Sequence, residues 1–335
     1  MKQILKYILI FILIVIVLPI LCTKKRKKQN VQTSEVTEEK KQEIEKYDYS
    51  KYKTIKLYNV NTSQTEEISL DDYLYGVVSS EMPASFEMEA LKAQAIVART
   101  YTIYQITKSK GKHGDADICD DYKCCQAWIS KEDRLAKWSE NEAEANWNKI
   151  VEAVDLTQGK IITYNGSPID AFFHSNSGGT TETASNVWGG DNFPYLQSVQ
   201  TSGEDGYTQY SSEVEFSQSE FVDKIKAKHP DFEIDFSDSS CVQILEYTES
   251  GRVRTIKFGN IQIAGTEART LLGLKSTNFS FEIGDGRIKF KVFGYGHGVG
   301  MSQTGADSMA RAGSNAEEII KHFYSGVEIS LVNDL

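Results

Sequence analysis

The sequence predicts an α+β fold of mixed helices and antiparallel hairpins, preceded by one N-terminal transmembrane helix. Three observations carry this expectation. Apolar residues recur at helical spacing in several segments, Asn165-Gly166 separates two strand-like runs, and no regular strand–helix–strand alternation joins the elements. With 335 residues, 40% of them hydrophobic, the chain can bury a sizeable core.

The anchor is expected over residues 1–23, where an apolar run extends from 7 to 22. A span needs about 20 residues, and tilt with snorkelling lysines makes up the difference. No small-residue cleavage site follows Pro19, which favours a retained anchor over a signal peptide. Leu21 is bulkier than a lipid-transfer site before Cys22 tolerates. Flanking charges alone, Lys2 and Lys6 against the basic cluster 24–28, would put the large domain inside. Residues 24–50 are polar and charge-dense without apolar periodicity and are read as a solvated stalk. The folded domain is expected over 51–335.

Residues 1–28 carry seven basic and no acidic side chains, leaving 30 basic and 47 acidic in the remainder, a net charge of −17 there. So acidic a domain repels DNA, RNA and teichoic acid, so no nucleic-acid partner is expected. A neutral or weakly charged substrate such as glycan fits better.

Within the domain, TIKLYNV and ISL read as strands. Ser69 N-caps a helix to about residue 79, and Pro83 closes it off. A second helix over 87–107 places Leu91, Ala95, Ala98 and Thr102 at helical spacing. Residues 113–128 are loop-like, and 131–153 form a third helix with Trp138, Trp147 and Val151 as core contacts. Asn165-Gly166 suits a type I′ turn between strands at 160–164 and 168–174. Further strands are expected at 243–247, 252–258, 278–283 and 287–293. Two helices close the chain: 302–312, ended by Gly313, and one opened by a Ser314…Glu317 capping box.

Glu81, in SSEMPASFEMEALKAQAIVARTY, sits between two helices beside Met82, Pro83 and Phe86. Partial desolvation there raises a carboxyl pKa and lets it donate a proton near neutrality, as protonation of a glycosidic oxygen requires. Lys92 and Arg99 share one face of the following helix, and Gln94 and Tyr101 another. An Arg99 close to Glu81 would depress its pKa, so the basic pair either holds substrate or fixes the fold.

His113, Cys119 and Cys125 are spaced His-x5-Cys-x5-Cys, one imidazole and two thiolates suited to tetrahedral zinc. Cys124 is an alternative to its neighbour Cys125, and structural and catalytic zinc both remain open, with the structural clamp favoured. Five cysteines, three of them within seven residues, are too few and too clustered for a disulfide framework.

The loop from His174 through Glu182 leaves a strand end and offers Ser175, Asn176 and Ser177 to sugar hydroxyls and N-acetyl groups. GYGHGVGMSQ presents His297 and Gln303 on a glycine-rich turn; its G-x-G-x-G spacing and lack of a βαβ unit exclude a dinucleotide fingerprint. Ser177 with His174 or His297 lacks the elbow of a serine hydrolase.

Three blocks, SSEMPASFEMEALKAQAIVARTY, FFHSNSGGTTETASNVWGGDNFPYLQSV and FGYGHGVGMSQTGADSMARAG, resemble the stage II sporulation protein D family and the related amidase-enhancer proteins. The resemblance spans roughly residues 52–331. It implies a lytic transglycosylase that cleaves peptidoglycan during engulfment, on glycan already stripped of stem peptides. It puts the family's catalytic glutamate at Glu81 and a zinc site at His113, Cys119 and Cys125. It further implies an outward-facing domain on a single-pass cell-membrane anchor, against the flanking-charge count. Its implied partners are the amidase stage II sporulation protein P and stage II sporulation protein M. In the expected reaction, neutral Glu81 protonates the oxygen between N-acetylmuramic acid and N-acetylglucosamine. The carboxylate then deprotonates the muramyl 6-hydroxyl, which closes a 1,6-anhydro ring. Tyr101, Ser175, Asn176, Ser177 and His297 are expected to line the cleft. The alternatives are a non-enzymatic enhancer of a peptidoglycan amidase and a zinc hydrolase.

Overall fold

The computed structural model describes residues 47–108, 112–190 and 193–335. The expected span over 1–23 and nearly all of the stalk lie outside them. Among the described residues no helix is long and apolar enough to cross a membrane. The last stalk residues prove to be part of the folded body: Tyr49 is buried, and its hydroxyl donates to Asp71 Oδ1 at 2.9 Å and accepts from the Gly159 amide at 3.2 Å.

The architecture is α+β with mainly antiparallel sheets. Strand β1 (Thr54–Asn59) alternates exposed residues with buried Ile55 and Leu57, and pairs antiparallel with β2 (Gln64–Ser69) from Thr54↔Ser69 to Asn59↔Gln64. Ser69 Oγ accepts from the Asp72 amide at 3.1 Å and opens α1 (Leu70–Glu81), which ends where Met82 turns extended ahead of Pro83. Helix α2 (Met88–Lys108) is buried on nearly every face because α1 and later elements surround it. It buries Gln94, Arg99, Thr100, Thr102 and Gln105 beside its apolar residues, as a helix at the centre of a domain does. A two-residue strand, β3 (Ile118–Cys119), adds to β1 in parallel.

The helix expected over 131–153 is two helices, α3 (Lys131–Leu135) and α4 (Glu140–Asp155), because Ser139 turns extended and starts the chain afresh. β4 (Lys160–Tyr164) and β5 (Ser167–Pro168) form the expected hairpin, with Asn165 at φ 50° and Gly166 at φ 72°, as a type I′ turn demands. The second strand is much shorter than its sequence suggested. After Ile169, whose amide still donates to the Ile162 carbonyl at 3.2 Å, the chain leaves β4, and β6 (Phe173–His174) pairs instead with a segment near the C-terminus. A short helix, α5 (Ala184–Trp188), follows.

Residues 211–293 build a second hydrophobic core that the sequence reading left undivided. β7 (Ser211–Ser217) leads through a Ser217–Glu220 capping box into α6 (Gln218–Lys226). Next come β8 (Val242–Tyr247), β9 (Val253–Phe258), β10 (Ile261–Ala264) and α7 (Gly265–Leu272). β11 (Asn278–Gly284) and β12 (Arg287–Phe293) close the segment. Two three-stranded sheets, β10-β9-β8 and β11-β12-β7, enclose buried Phe221, Phe232, Phe258 and Phe290.

The chain then returns to the first core. β13 (Met301–Ser302) pairs in parallel with β6, and Ser302 caps α8 (Gln303–Arg311). The last capping box lies one residue later than expected, with Asn315 and Glu318 opening α9 (Ala316–Phe323). β14 (Glu328–Leu331) completes the β4 sheet.

Candidate active site

The C-terminus of α1, the cysteine loop, the loop after β6, the turn between β12 and β13, and α7 together line one cleft of about 1240 Å³. Glu81, the last residue of α1, lies in its wall. Oε1 accepts from the Ala127 amide at 2.8 Å and Oε2 from Gln303 Nε2 at 3.4 Å. Met82 and Phe86 are buried behind it as the sequence suggested, while Pro83 is exposed. Burial pushes the Glu81 pKa above the ordinary carboxyl range, and the two hydrogen bonds offset only part of that rise.

Tyr101, Ser175, His297 and Gln303 share the cleft with Glu81. His297 packs against Trp188, with ring centroids 5.1 Å apart, and its Nδ1 accepts from the Val299 amide at 3.1 Å. Burial, reinforced by His174 and nearby arginines, holds His297 well below the usual imidazole range and therefore neutral. His174 is likewise neutral, pushed down to about 3 by burial and then Arg252; its Nδ1 donates to the Val299 carbonyl at 3.1 Å. The glycines of the turn permit this crowding. Gly298 has φ 87°, and a Cβ on it would fall 2.7 Å from the Arg252 guanidinium; one on Gly300 would fall 1.9 Å from the Phe172 carbonyl oxygen.

Four residues expected at the substrate lie elsewhere. Arg99 is fully buried, and its guanidinium donates to the carbonyls of Thr157 at 2.8 Å, Lys160 at 3.2 Å and Val154 at 3.4 Å. It clamps the turn between the C-terminus of α4 and the start of β4, adding a charged donor to carbonyls at a helix's negative end. Lys92 pairs with Glu89 at 2.7 Å, on its own helix. Asn176 and Ser177 are buried: Asn176 Nδ2 donates to Thr304 Oγ1 at 2.8 Å, and the Ser177 hydroxyl bonds Glu204. These two consecutive polar side chains both point into the fold because the loop after β6 is held from beneath.

Glu204 is what holds it. This buried carboxylate accepts from the amides of Ser177 at 3.1 Å and Gly179 at 3.2 Å, and from the hydroxyls of Ser177, Thr201 and Ser302. It thereby ties the loop after β6 to the start of α8, which carries Gln303. Burial by itself raises its pKa, but the hydrogen bonds outweigh burial and keep it below the ordinary range. Nothing in SGEDGY sets this glutamate apart from its neighbours in the sequence. Arg252, also buried, donates from Nη2 to the Ser177 carbonyl at 2.6 Å and was equally invisible as a strand-end arginine.

The cysteine loop gathers His113, Cys119, Cys124 and Cys125, whose donor atoms all lie within 4.8 Å of one another. His113 Nε2 is 3.2 Å from Cys125 Sγ and 3.8 Å from Cys124 Sγ. Thiolates around tetrahedral zinc stand about 3.8 Å apart, so one imidazole and three thiols at this spacing fit such an ion. The amides of Cys124 and Cys125 both donate to the Asp121 carbonyl, at 3.0 and 2.8 Å, which turns the two neighbouring thiols inward together. Just beyond them, Gln126 Nε2 donates to Tyr73 and Thr102 hydroxyls, and Ala127 donates to Glu81.

Comparison with known proteins identifies the family. A family model described as "Stage II sporulation protein" matches residues 58–164. The chain is 36% identical over 278 residues to stage II sporulation protein D of Bacillus amyloliquefaciens, covering 83% of this chain and 78% of that one. It is 37% identical over 279 residues to the protein of the same name from Bacillus subtilis (strain 168), covering 83% and 79%. It is also 29% identical over 306 residues to the amidase enhancer of Bacillus subtilis (strain 168), covering 77% of this chain and 40% of that longer protein. The chain belongs to the stage II sporulation protein D family.

Proposed function

We propose that this protein is a lytic transglycosylase that cleaves peptidoglycan glycan strands between N-acetylmuramic acid and N-acetylglucosamine and leaves a 1,6-anhydro product. One observation carries the reading: Glu81 is the sole carboxyl group among the described residues lining the cleft, and burial raises its pKa. A hydrolase of the usual kind needs a second carboxylate, for the nucleophile or for the water. Internal attack by the muramyl 6-hydroxyl needs a single group that gives a proton and then takes one back. Glu81 protonates the bridging oxygen, and its carboxylate then accepts the 6-hydroxyl proton. The Ala127 amide and Gln303 stabilise the carboxylate between the two transfers. Glu87 and Glu89 do not line the cleft; Glu89 pairs with Lys92.

Zinc, in this reading, is structural. His113, Cys119, Cys124 and Cys125 supply four donors, which fill a tetrahedron and leave no position for a reactive water. Bound there, the ion would cross-link the loop whose Ala127 amide orients Glu81. This favours a clamp over a zinc hydrolase. We further propose the family setting for the whole chain: a membrane anchor over 1–23, a stalk, an outward-facing domain, and the sporulation proteins P and M as partners on stem-peptide-stripped wall.

The likeness to an amidase enhancer supports a second reading, a non-enzymatic stimulator of a peptidoglycan amidase. Mass spectrometry of stripped glycan incubated with the wild-type chain and with Glu81→Gln separates the two. Anhydro-muramyl products from the wild type alone support the enzyme. Absence of scission together with faster amidase turnover supports the enhancer.

A further inference from the structure

The cleft reverses the charge of the chain that forms it. The sequence carries a net charge of −10, yet the cleft is lined by one carboxyl group, Glu81, against three cations, Lys123, Arg269 and Lys275. The overall acidity pointed to a neutral substrate; the local balance points to an anionic one.

Two of these cations share the wall built by the second core. α7 turns Thr266, Arg269 and Thr270 to the cleft, the i, i+3, i+4 positions of one helix face, while Ala268 and Leu272 are buried in the phenylalanine-rich core. Lys275 follows just beyond the end of α7, with its ammonium 5.0 Å from the centroid of the Tyr295 ring. Four other cations of this segment are in ion pairs, Lys228 with Glu267, Arg254 with Glu246, Arg287 with Glu215 and Lys289 with Glu213, and those that are not, such as Lys224 and Lys291 over the Phe216 and Phe293 rings, do not line the cleft. Arg269 and Lys275 form no ion pair among the described residues; Arg269 Nε donates to the Leu274 carbonyl at 3.4 Å. Burial also lowers the Arg269 pKa, as expected of a guanidinium held partly out of water without a carboxylate to offset the cost.

We propose that Arg269 and Lys275 form a carboxylate subsite of this cleft, and that its ligand is the free lactyl carboxylate of N-acetylmuramic acid on glycan stripped of stem peptides. The proposal rests on the glycan-cleaving reading above and adds to it the residues that select the stripped strand. Attached stem peptide converts the lactyl carboxylate into an amide, which is uncharged. A guanidinium bonds a carboxylate through two parallel N–H groups and an amide through one neutral oxygen. Lys275 adds charge without that fork geometry.

The test measures binding of the full-length Glu81→Gln chain to stripped glycan fragments and to the same fragments with their carboxylates converted to methylamides. The carboxylate form should bind about tenfold or more tightly, with a preference that weakens as salt rises. Adding Arg269→Gln should bring the ratio of affinities towards one, and adding Lys275→Gln should lower it. Lys275 lies outside both cores, so that variant reports even where Arg269→Gln fails to fold. Equal affinity for the two fragments, or a preference that survives the substitutions, overturns the subsite. Binding in a chain lacking the acid keeps the two claims apart. A preference without scission by the wild type sinks the transglycosylase and leaves the subsite standing; scission without preference does the converse.

Discussion

Gln303 Nε2 lies 3.4 Å from Glu81 Oε2, across 222 residues of sequence. The contact joins the first residue of α8 to the last residue of α1, so two of the family's sequence blocks meet at one carboxyl group. It also gives the carboxylate a neutral donor rather than a cation, which leaves its pKa raised.

The first prediction concerns pH. With Glu81 as the acid, scission of stripped glycan should decline as pH rises through its raised pKa, and the alkaline limb of the rate profile should lie above the ordinary glutamate range. A profile whose alkaline limb falls inside that range would remove the acid role.

Stability should show the same group with the opposite consequence for Gln. A carboxyl whose folded pKa exceeds its unfolded value supports the fold fully below the unfolded value and loses that support as pH rises through the folded one. Glu81→Gln should therefore be more stable than wild type at neutral pH, and the gap should close in acid. Denaturant titrations at both pH values check this.

Arg99→Met should destabilise the chain by about 2–4 kcal/mol, because it removes the buried charged donor that ties the carbonyls of Val154, Thr157 and Lys160 together between α4 and β4. Arg99→Lys should recover a minor part, since one ammonium cannot span all three. A substrate-binding Arg99 would instead raise KM with little change in thermal stability, so the two measurements together decide its role.

Glu204→Gln should loosen the joint between the loop after β6 and α8 at a cost of about 1–3 kcal/mol, as an amide presents donors where donors already converge. The Glu204 pKa is lowered, so its stabilisation is present above the unfolded value and is lost as pH falls through the folded one. The variant should accordingly be least different from wild type in acid. Thermal unfolding across that range reads the effect.

Purified chain should carry one zinc ion, and Cys124→Ser should retain it less tightly than wild type. Chelation should leave the second core intact and increase amide exchange across the cysteine loop, including Ala127. Unchanged exchange at Ala127 would disconnect the metal loop from Glu81.

Much of this was legible along the chain because it is local. Ser69 as a cap, Asn165-Gly166 as a turn, the apolar spacing of α2, and His113, Cys119 and Cys125 within one short loop all depend on neighbours a few residues away. Glu81 could be singled out for the same reason, since its corner between two helices is written in adjacent residues. Roles that depend on distant partners were not legible. Arg99 reads as a basic helix face until α4 is laid against it, and Asn176 and Ser177 read as binding groups until Glu204 is found beneath them. The four-donor cluster needed the Asp121 turn to bring Cys124 in beside Cys125. The second core, and with it the cationic wall of Arg269 and Lys275, arises only when strands separated by long stretches of chain pair and turn one face of α7 inward. Sequence alone determined which residues could do chemistry; long-range packing decided which of them share a cleft, because burial, pKa and hydrogen-bond partners are properties of the assembled neighbourhood.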